Sequence, residues 1–213
     1  MFSEKTGEFL TGLMFNNERG WFEAHREEYE KYLRQPFAEC ARRTAELMQD
    51  RFPEKQLDLH IARIYRDARR LHGRGPYKDH LWFSLKSWDG LLQGPMFWFE
   101  IGAVEYSYGM GFYSASAEQM EAYRRAIDAD IPAAERMARR LLRQDTFRFD
   151  CEPYKRPKGE KGKLLDPWYN TKRPGFICTR DFGGELFRDS LPRTLADGYE
   201  FLMPYYDFLC RIM

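Results

Sequence analysis

With 213 residues, 43% hydrophobic and 16% aromatic, the chain can bury a sizeable core, which excludes a disordered chain and bounds it to one large domain. Thirty-four Lys and Arg against thirty-three Asp and Glu leave a formal charge of +1, which argues against a general polyanion binder, since such proteins are basic over a whole face. No run is long enough to cross a bilayer, the opening MFSEKTGEFL lacks an export pattern, and Cys40, Cys151, Cys178 and Cys210 form no CxxC pair. The expectation is a cytoplasmic protein with no membrane partner, no cofactor, and thiols that act as small buried hydrophobes.

Residues 3–15 read as a short helix capped by Ser3, with Phe9, Leu10, Leu13 and Met14 on one side. Asn16 and Asn17 break it. Phe22, His25, Tyr29, Leu33, Phe37, Cys40, Thr44, Leu47 and Met48 then step by three or four, a helical face that Pro36 ends or restarts near Gln35. Leu57–Ile61 alternates as a half-buried strand. If it persists, the same face continues through Arg63, Tyr65, Asp67 and Arg69, with Asp67 between two arginines. Trp82, Phe83 and Leu85 start another strand, 96–108 is the strongest strand signal, and Gly109 and Gly111 permit a bend or bulge before Phe112. Ser116 and Gln119 make a capping box for a helix to about Asp128, and a second helix begins near Pro132. Phe147–Cys151 and Phe176–Thr179 are short strands, and a last helix from Ser190 carries Pro204, where a kink is expected. The fold class is α+β, a single domain over 1–213 with a mainly antiparallel sheet packed by N-terminal, central and C-terminal helices. Its parts are a helical 1–52, a strand-rich 57–113, helices over 116–144, and strands, loop and helix over 147–213.

Charge is concentrated in RIYRDARRLHGRGPYKDH, residues 63–80. Arg63, Arg66, Arg69, Arg70, Arg74 and Lys78 outweigh Asp67 and Asp79, six against two, for a local +4, whereas 1–62 carries twelve acids and nine bases. Arginine offers a planar fork matched to carboxylate and phosphate, and lysine a point charge, so this stretch is the candidate anion site. The assigned ligand-binding residues are Arg63, Arg66, Asp67, Arg69, Tyr77 and Lys78. Asp67 holds an arginine or acts as a base, and Tyr77 donates a hydrogen bond or stacks on a ring. The competing reading is that the charges close the edge of the core. A second basic segment, YKRPKGEKGK over 154–163, is a loop because of its Pro and Gly; Lys155, Arg156 and Lys172 are its candidate contacts. His72, His80, Asp67 and Asp79 are metal-capable, but their spacing matches no metal site, and none is expected. Nucleophile-elbow and Walker patterns are absent. The Asn16–Phe22 stretch offers Asn17 or Trp21 as a residue near a ligand; the competing reading is a turn residue and a core tryptophan at a helix start, and it is preferred for Trp21.

Asn16-Asn17-Glu18-Arg19-Gly20-Trp21-Phe22 with Glu28-Tyr29, and Arg63-Ile64-Tyr65-Arg66-Asp67-Ala68-Arg69 followed by Pro76-Tyr77-Lys78, resemble the two signatures of the bacterial family called domain of unknown function 2461. Gly109–Tyr113 and Lys155-Arg156-Pro157 follow in the expected order. Arg70, and Gly73-Arg74-Gly75 in place of Asp-Lys, depart from the pattern. The resemblance supports the fold and the choice of site and implies no particular reaction, so whether the chain is an enzyme stays open. The first function class is a binder of, or enzyme acting on, a small phosphate- or carboxylate-bearing ligand. The alternative is a nucleic-acid backbone tracked by loops 63–80 and 154–163 with Lys172 and Arg173, where Tyr77, Tyr154, Trp168 and Tyr169 stack on bases. A purely structural or protein-interaction role for the charge fits the composition equally.

Overall fold

The computed structural model describes residues 1–67, 69, 75–87 and 94–212. Helix α1 (Glu4–Phe15) buries Phe9, Leu10 and Leu13, while Met14, expected beside them, is exposed. After the Asn16–Asn17 break come α2 (Arg19–Ala24), the short α3 (Arg26–Glu28), a π-helical stretch Tyr29–Arg34, and α4 (Gln35–Arg51). Pro36 accounts for the change of pitch. It has no N–H to give the Tyr32 carbonyl, and its ring crowds that carbonyl in a regular helix. The fully buried Thr6 hydroxyl donates to the Tyr32 carbonyl instead, at 2.7 Å. The helix restarts at Gln35, as the sequence predicts, and the acceptor freed by the proline ties α1 to it.

The remaining elements are β1 (Leu57–Ile61), β2 (Leu81–Ser87), β3 (Met96–Ile101), β4 (Glu105–Gly111), α5 (Ala117–Ala129), α6 (Ile131–Leu142), β5 (Arg148–Pro153), α7 (Asp166–Tyr169), β6 (Thr171–Asp181) and α8 (Leu191–Cys210). The six strands make an antiparallel sheet in the order β1-β2-β3-β4-β6-β5, and the fold is α+β. Three expectations are corrected. The run 96–108 is a hairpin, closed where the Gly102 N–H donates to the Glu105 carbonyl at 2.9 Å, because apolar residues continue through the turn and hide it from periodicity. Gly109 lies inside β4 and serves close approach, since a Cβ there would run into the Phe176 carbonyl of β6. Of the cysteines, Cys40 and Cys178 are buried but Cys151 is exposed on edge strand β5. Burial pushes the Cys40 thiol up to about 12, so it stays protonated.

The chain forms two compact units. The first comprises Met1–Ser87, Trp98–Tyr108 and Thr179–Asp197; the second comprises Gly109–Cys178 with the described residues of Trp88–Phe97 and Gly198–Met213. In the first, Phe37 packs on Phe83 and Phe99, each 5.8 Å away between ring centroids, with Phe2 closing the cluster. In the second, Phe176 lies 4.6 Å from Tyr205, and Trp168 stacks on Phe149 at 4.7 Å. Each such ring contributes about 1.5–3 kcal/mol by leaving water.

Candidate functional site

The site lies in the first unit, where the chain leaves β1. The strand ends at Ile61, and the buried side then changes parity: Ala62 and Ile64 are buried, while Arg63, Tyr65 and Asp67 are exposed. The expected continuation of β1 through Asp67 is therefore not formed. In its place Ile64–Arg66 and Pro76–Lys78 make a short two-stranded ladder. Arg66 N–H donates to the Pro76 carbonyl at 2.8 Å and Lys78 N–H to the Ile64 carbonyl at 2.7 Å, on either side of the Tyr65–Tyr77 pair. Alternation along a strand puts Tyr65 and Tyr77 on one face and Arg66 and Lys78 on the other. Tyr77, 2% exposed, stacks on Phe22 with centroids 4.0 Å apart.

The ladder has a third member from the N-terminal helices. Asn17 Nδ2 donates to the Tyr77 carbonyl at 2.9 Å, and Tyr77 N–H donates to Asn17 Oδ1 at 3.0 Å. One side-chain amide thus satisfies both polar groups of a peptide as a neighbouring strand would. Gly75 makes the approach feasible, since a Cβ there would collide with the Asn17 amide and carbonyl. The Tyr77 carbonyl also accepts from Arg66 Nε at 2.7 Å.

On this frame Arg66 is held mostly out of water, its side chain 17% exposed, with Nη2 3.4 Å from Asp79 Oδ1. The same oxygen lies 2.9 Å from His80 Nδ1, and His80 Nε2 is 3.9 Å from Glu100 Oε2. Burial by itself would raise the Asp79 carboxyl. Hydrogen bonds from His80 and the Asp79 backbone, with the charges of His80 and Arg66, outweigh it and hold the carboxyl below its usual value. Lys78 Nζ donates to the Arg63 carbonyl at 2.6 Å. Burial, then the charges of Arg66 and Arg63, lower its proton affinity. Lys78 thus feels the charges of both arginines, and Asp79 is the carboxylate that pairs with Arg66.

Not every residue assigned to the site converges there. Arg69, with its side chain 89% exposed, pairs locally with Asp67: its N–H donates to Asp67 Oδ1 at 3.0 Å and its guanidinium to the same carboxylate. The Tyr77 ring is covered by Phe22 and Tyr65, so its backbone rather than its ring serves the site. Arg70, His72, Gly73 and Arg74 lie outside the described residues. Residues 5–208 match the family described as "Conserved hypothetical protein (DUF2461)". The chain belongs to the DUF2461 family. No curated protein matches it.

In this DUF2461 chain the two segments carrying the resemblance, Asn16–Phe22 and Arg63–Lys78, are where Asn17 meets Gly75–Tyr77 and Phe22 meets Tyr77. Trp21 is half-buried and stacks on His25 at 4.0 Å, as a packing residue does. Sequence reasoning did not assign Asp79, His80 and Glu100 to the site, and it took Asn17 for a ligand neighbour or a turn residue rather than a clamp on the Tyr77 peptide. The only prior signal was the two segments sharing one chain. No group of three or more metal-binding side chains occurs among the described residues, and none of their helices is long and apolar enough to cross a membrane.

The second basic segment belongs to the second unit and is a loop. Asn170 Oδ1 accepts from Lys158 and Gly159 N–H, and Asp166 Oδ1 from Lys161 N–H. Lys155 and Arg156 are exposed without an ion pair among the described residues, and Lys172 pairs with Glu152 at 2.5 Å. Of the rings named for base stacking, Tyr77, Trp168 and Tyr169 are all buried, which removes most of the platform that reading needs.

Proposed function

We propose that the Arg63, Arg66 and Lys78 cluster receives a small anionic ligand bearing phosphate or carboxylate. The observation that carries this reading is the unbalanced charge: Lys78 lies near enough to Arg66 and Arg63 for their charges to lower its proton affinity, and the carboxylate at the cluster, Asp79, pairs with Arg66. Arg66 and Lys78 are fixed by hydrogen bonds to the Tyr77 and Arg63 carbonyls, so the side-chain entropy that ligand binding ordinarily costs is already spent. Arg63, exposed and without a partner among the described residues, supplies the open fork. Asp67 and Arg69, paired with each other, are the remaining candidate contacts. An anion placed there neutralises the repulsion, which is the source of its affinity.

The test is a thermal-shift screen of phosphate, phosphate esters, nucleotides, dicarboxylates and short oligonucleotides against the wild type and Lys78→Ala. A ligand at a hundredfold excess over its dissociation constant stabilises by about 2.7 kcal/mol. A shift from one small anion, absent in Lys78→Ala, supports the reading. A salt-sensitive shift from oligonucleotides alone overturns it in favour of a nucleic-acid backbone. No shift from any compound, with Lys78→Ala itself unstable, assigns the cluster to scaffolding.

A further inference from the structure

A second cluster, in the other compact unit, carries a larger anomaly. Arg124 on α5 is half-buried and makes no hydrogen bond or ion pair among the described residues; its Nη1 is shut off from solvent. A guanidinium has five N–H donors, and leaving a buried one unpaired is costly enough that native proteins rarely do it without an ion or water to answer it. The acids nearest along the helix are already engaged. Glu121, three residues back, pairs with Arg125 at 3.0 Å. Asp128, four residues on, accepts from Lys161 Nζ at 2.6 Å through Oδ1 and from the Tyr169 hydroxyl at 2.9 Å through Oδ2. Arg124 adds to the field on Asp128 but makes no pair with it.

What Arg124 has instead is a ring and another cation. Its guanidinium carbon lies 5.8 Å from the Tyr154 ring centroid, and Lys158 Nζ lies 4.9 Å from the same centroid. Cation–ring attraction stabilises charge but accepts no N–H in the ring plane. Lys158 likewise has no carboxylate partner among the described residues. Its position is not left to chance: Asn170 Oδ1 accepts its N–H at 2.6 Å, and the Tyr154 N–H donates to the Asn170 carbonyl at 2.9 Å. Loop and helix therefore hold two unneutralised cations against one ring.

We infer that Arg124 and Lys158, both over the Tyr154 ring, form a binding site for a small phosphate-bearing anion, distinct from the Arg63, Arg66 and Lys78 cluster. Two uncompensated positive charges suit a dianion. The guanidinium fork takes two phosphate oxygens side by side, and the ammonium takes a third as a point charge.

Inorganic phosphate titrated into the full-length protein at constant ionic strength, followed by NMR of arginine Nε–H groups, tests this. The signal missing from Arg124→Met belongs to Arg124. It shifts saturably with phosphate, and Lys158→Met weakens the apparent affinity by about tenfold, the loss expected for one charge-assisted hydrogen bond. Arg124→Met itself folds and melts no lower than the wild type, because it removes an unanswered donor. A signal that does not move, one that moves equally with chloride, an affinity unchanged in Lys158→Met, or an Arg124→Met protein that is strongly destabilised would each overturn the site.

Discussion

Asn17→Ala is the sharpest probe of how the site is held. The substitution removes the acceptor of the Tyr77 N–H and one of two donors to the Tyr77 carbonyl. The carbonyl keeps Arg66 Nε, so only the N–H is orphaned. An orphaned buried donor costs about 1–3 kcal/mol and a lost hydrogen bond about 1. Because Asn17 is half-buried, water recovers part of this, and the net cost comes to about 2 kcal/mol. For a chain of this length that lowers the melting temperature by roughly 4–8 °C. The shared carbonyl gives a second, sharper expectation. In Arg66→Met the carbonyl still has Asn17; in the double variant it has neither donor. The double variant is therefore worse than the sum of the singles by about 1 kcal/mol or more. Denaturant unfolding of the four proteins measures both quantities. An Asn17→Ala loss within experimental error of zero, or strictly additive singles, would refute the clamp.

Thr6→Val leaves the Tyr32 carbonyl freed by Pro36 without its donor, costing about 1–3 kcal/mol in denaturant unfolding, whereas Thr6→Ser, which keeps the hydroxyl, costs less. Gly20 sits in α2 with nothing within 4 Å of a Cβ, so Gly20→Ala stabilises by about 0.5–1 kcal/mol; a loss would show that the residue has a role its surroundings do not reveal. The Asp79 carboxyl is held below its ordinary value of 3.8, so the stability it contributes is fully present above that pH and is lost as pH falls through the lower folded value. The stability gap between wild type and Asp79→Asn, measured by denaturant unfolding, therefore closes only below pH 3.8, and a gap constant with pH would refute the pairing. Lys78 has its proton affinity lowered, so an anion that needs its charge binds more weakly as pH rises through the folded value toward 10.5, and Lys78→Arg, which does not titrate there, abolishes that dependence in a binding titration.

Much of the helical framework was legible because its signals are local: the break at Asn16–Asn17, the capping box at Ser116, the restart near Pro36. The hairpin inside 96–108 was not, because Gly102-Ala103-Val104 keeps the run apolar and only the backbone bond from Gly102 to Glu105 marks the turn. The location of the candidate site followed from charge, but its construction did not. Asn17 lies sixty residues from Tyr77 in sequence, and an asparagine after a helix has a sufficient local explanation as a turn residue. The His80–Glu100 approach depends on strand register, which no single strand records. Tyr77 was misread for a related reason. A tyrosine between a proline and a lysine in a basic stretch looks solvent-facing until Phe22 is brought over it.

What separates one basic residue from another is how many of its donors are already answered, and sequence composition is blind to that count. In the 154–163 loop, Lys161 is answered by Asp128, while Lys158 in the same loop is not. In the 63–80 stretch, Arg69 has its side chain 89% exposed and is the easiest to nominate, yet it is engaged with the nearest carboxylate. Holding it still for a ligand would cost side-chain entropy of about 1 kcal/mol or more. Arg66 and Lys78 have incurred that cost in folding, through carbonyls placed by the Tyr65–Tyr77 ladder, and the charges of Arg66 and Arg63 both act on Lys78. A cation that is ordered, crowded by its own kind and short of acids is the one able to bind. By that criterion the proposed anion site depends on Lys78 rather than on Arg69.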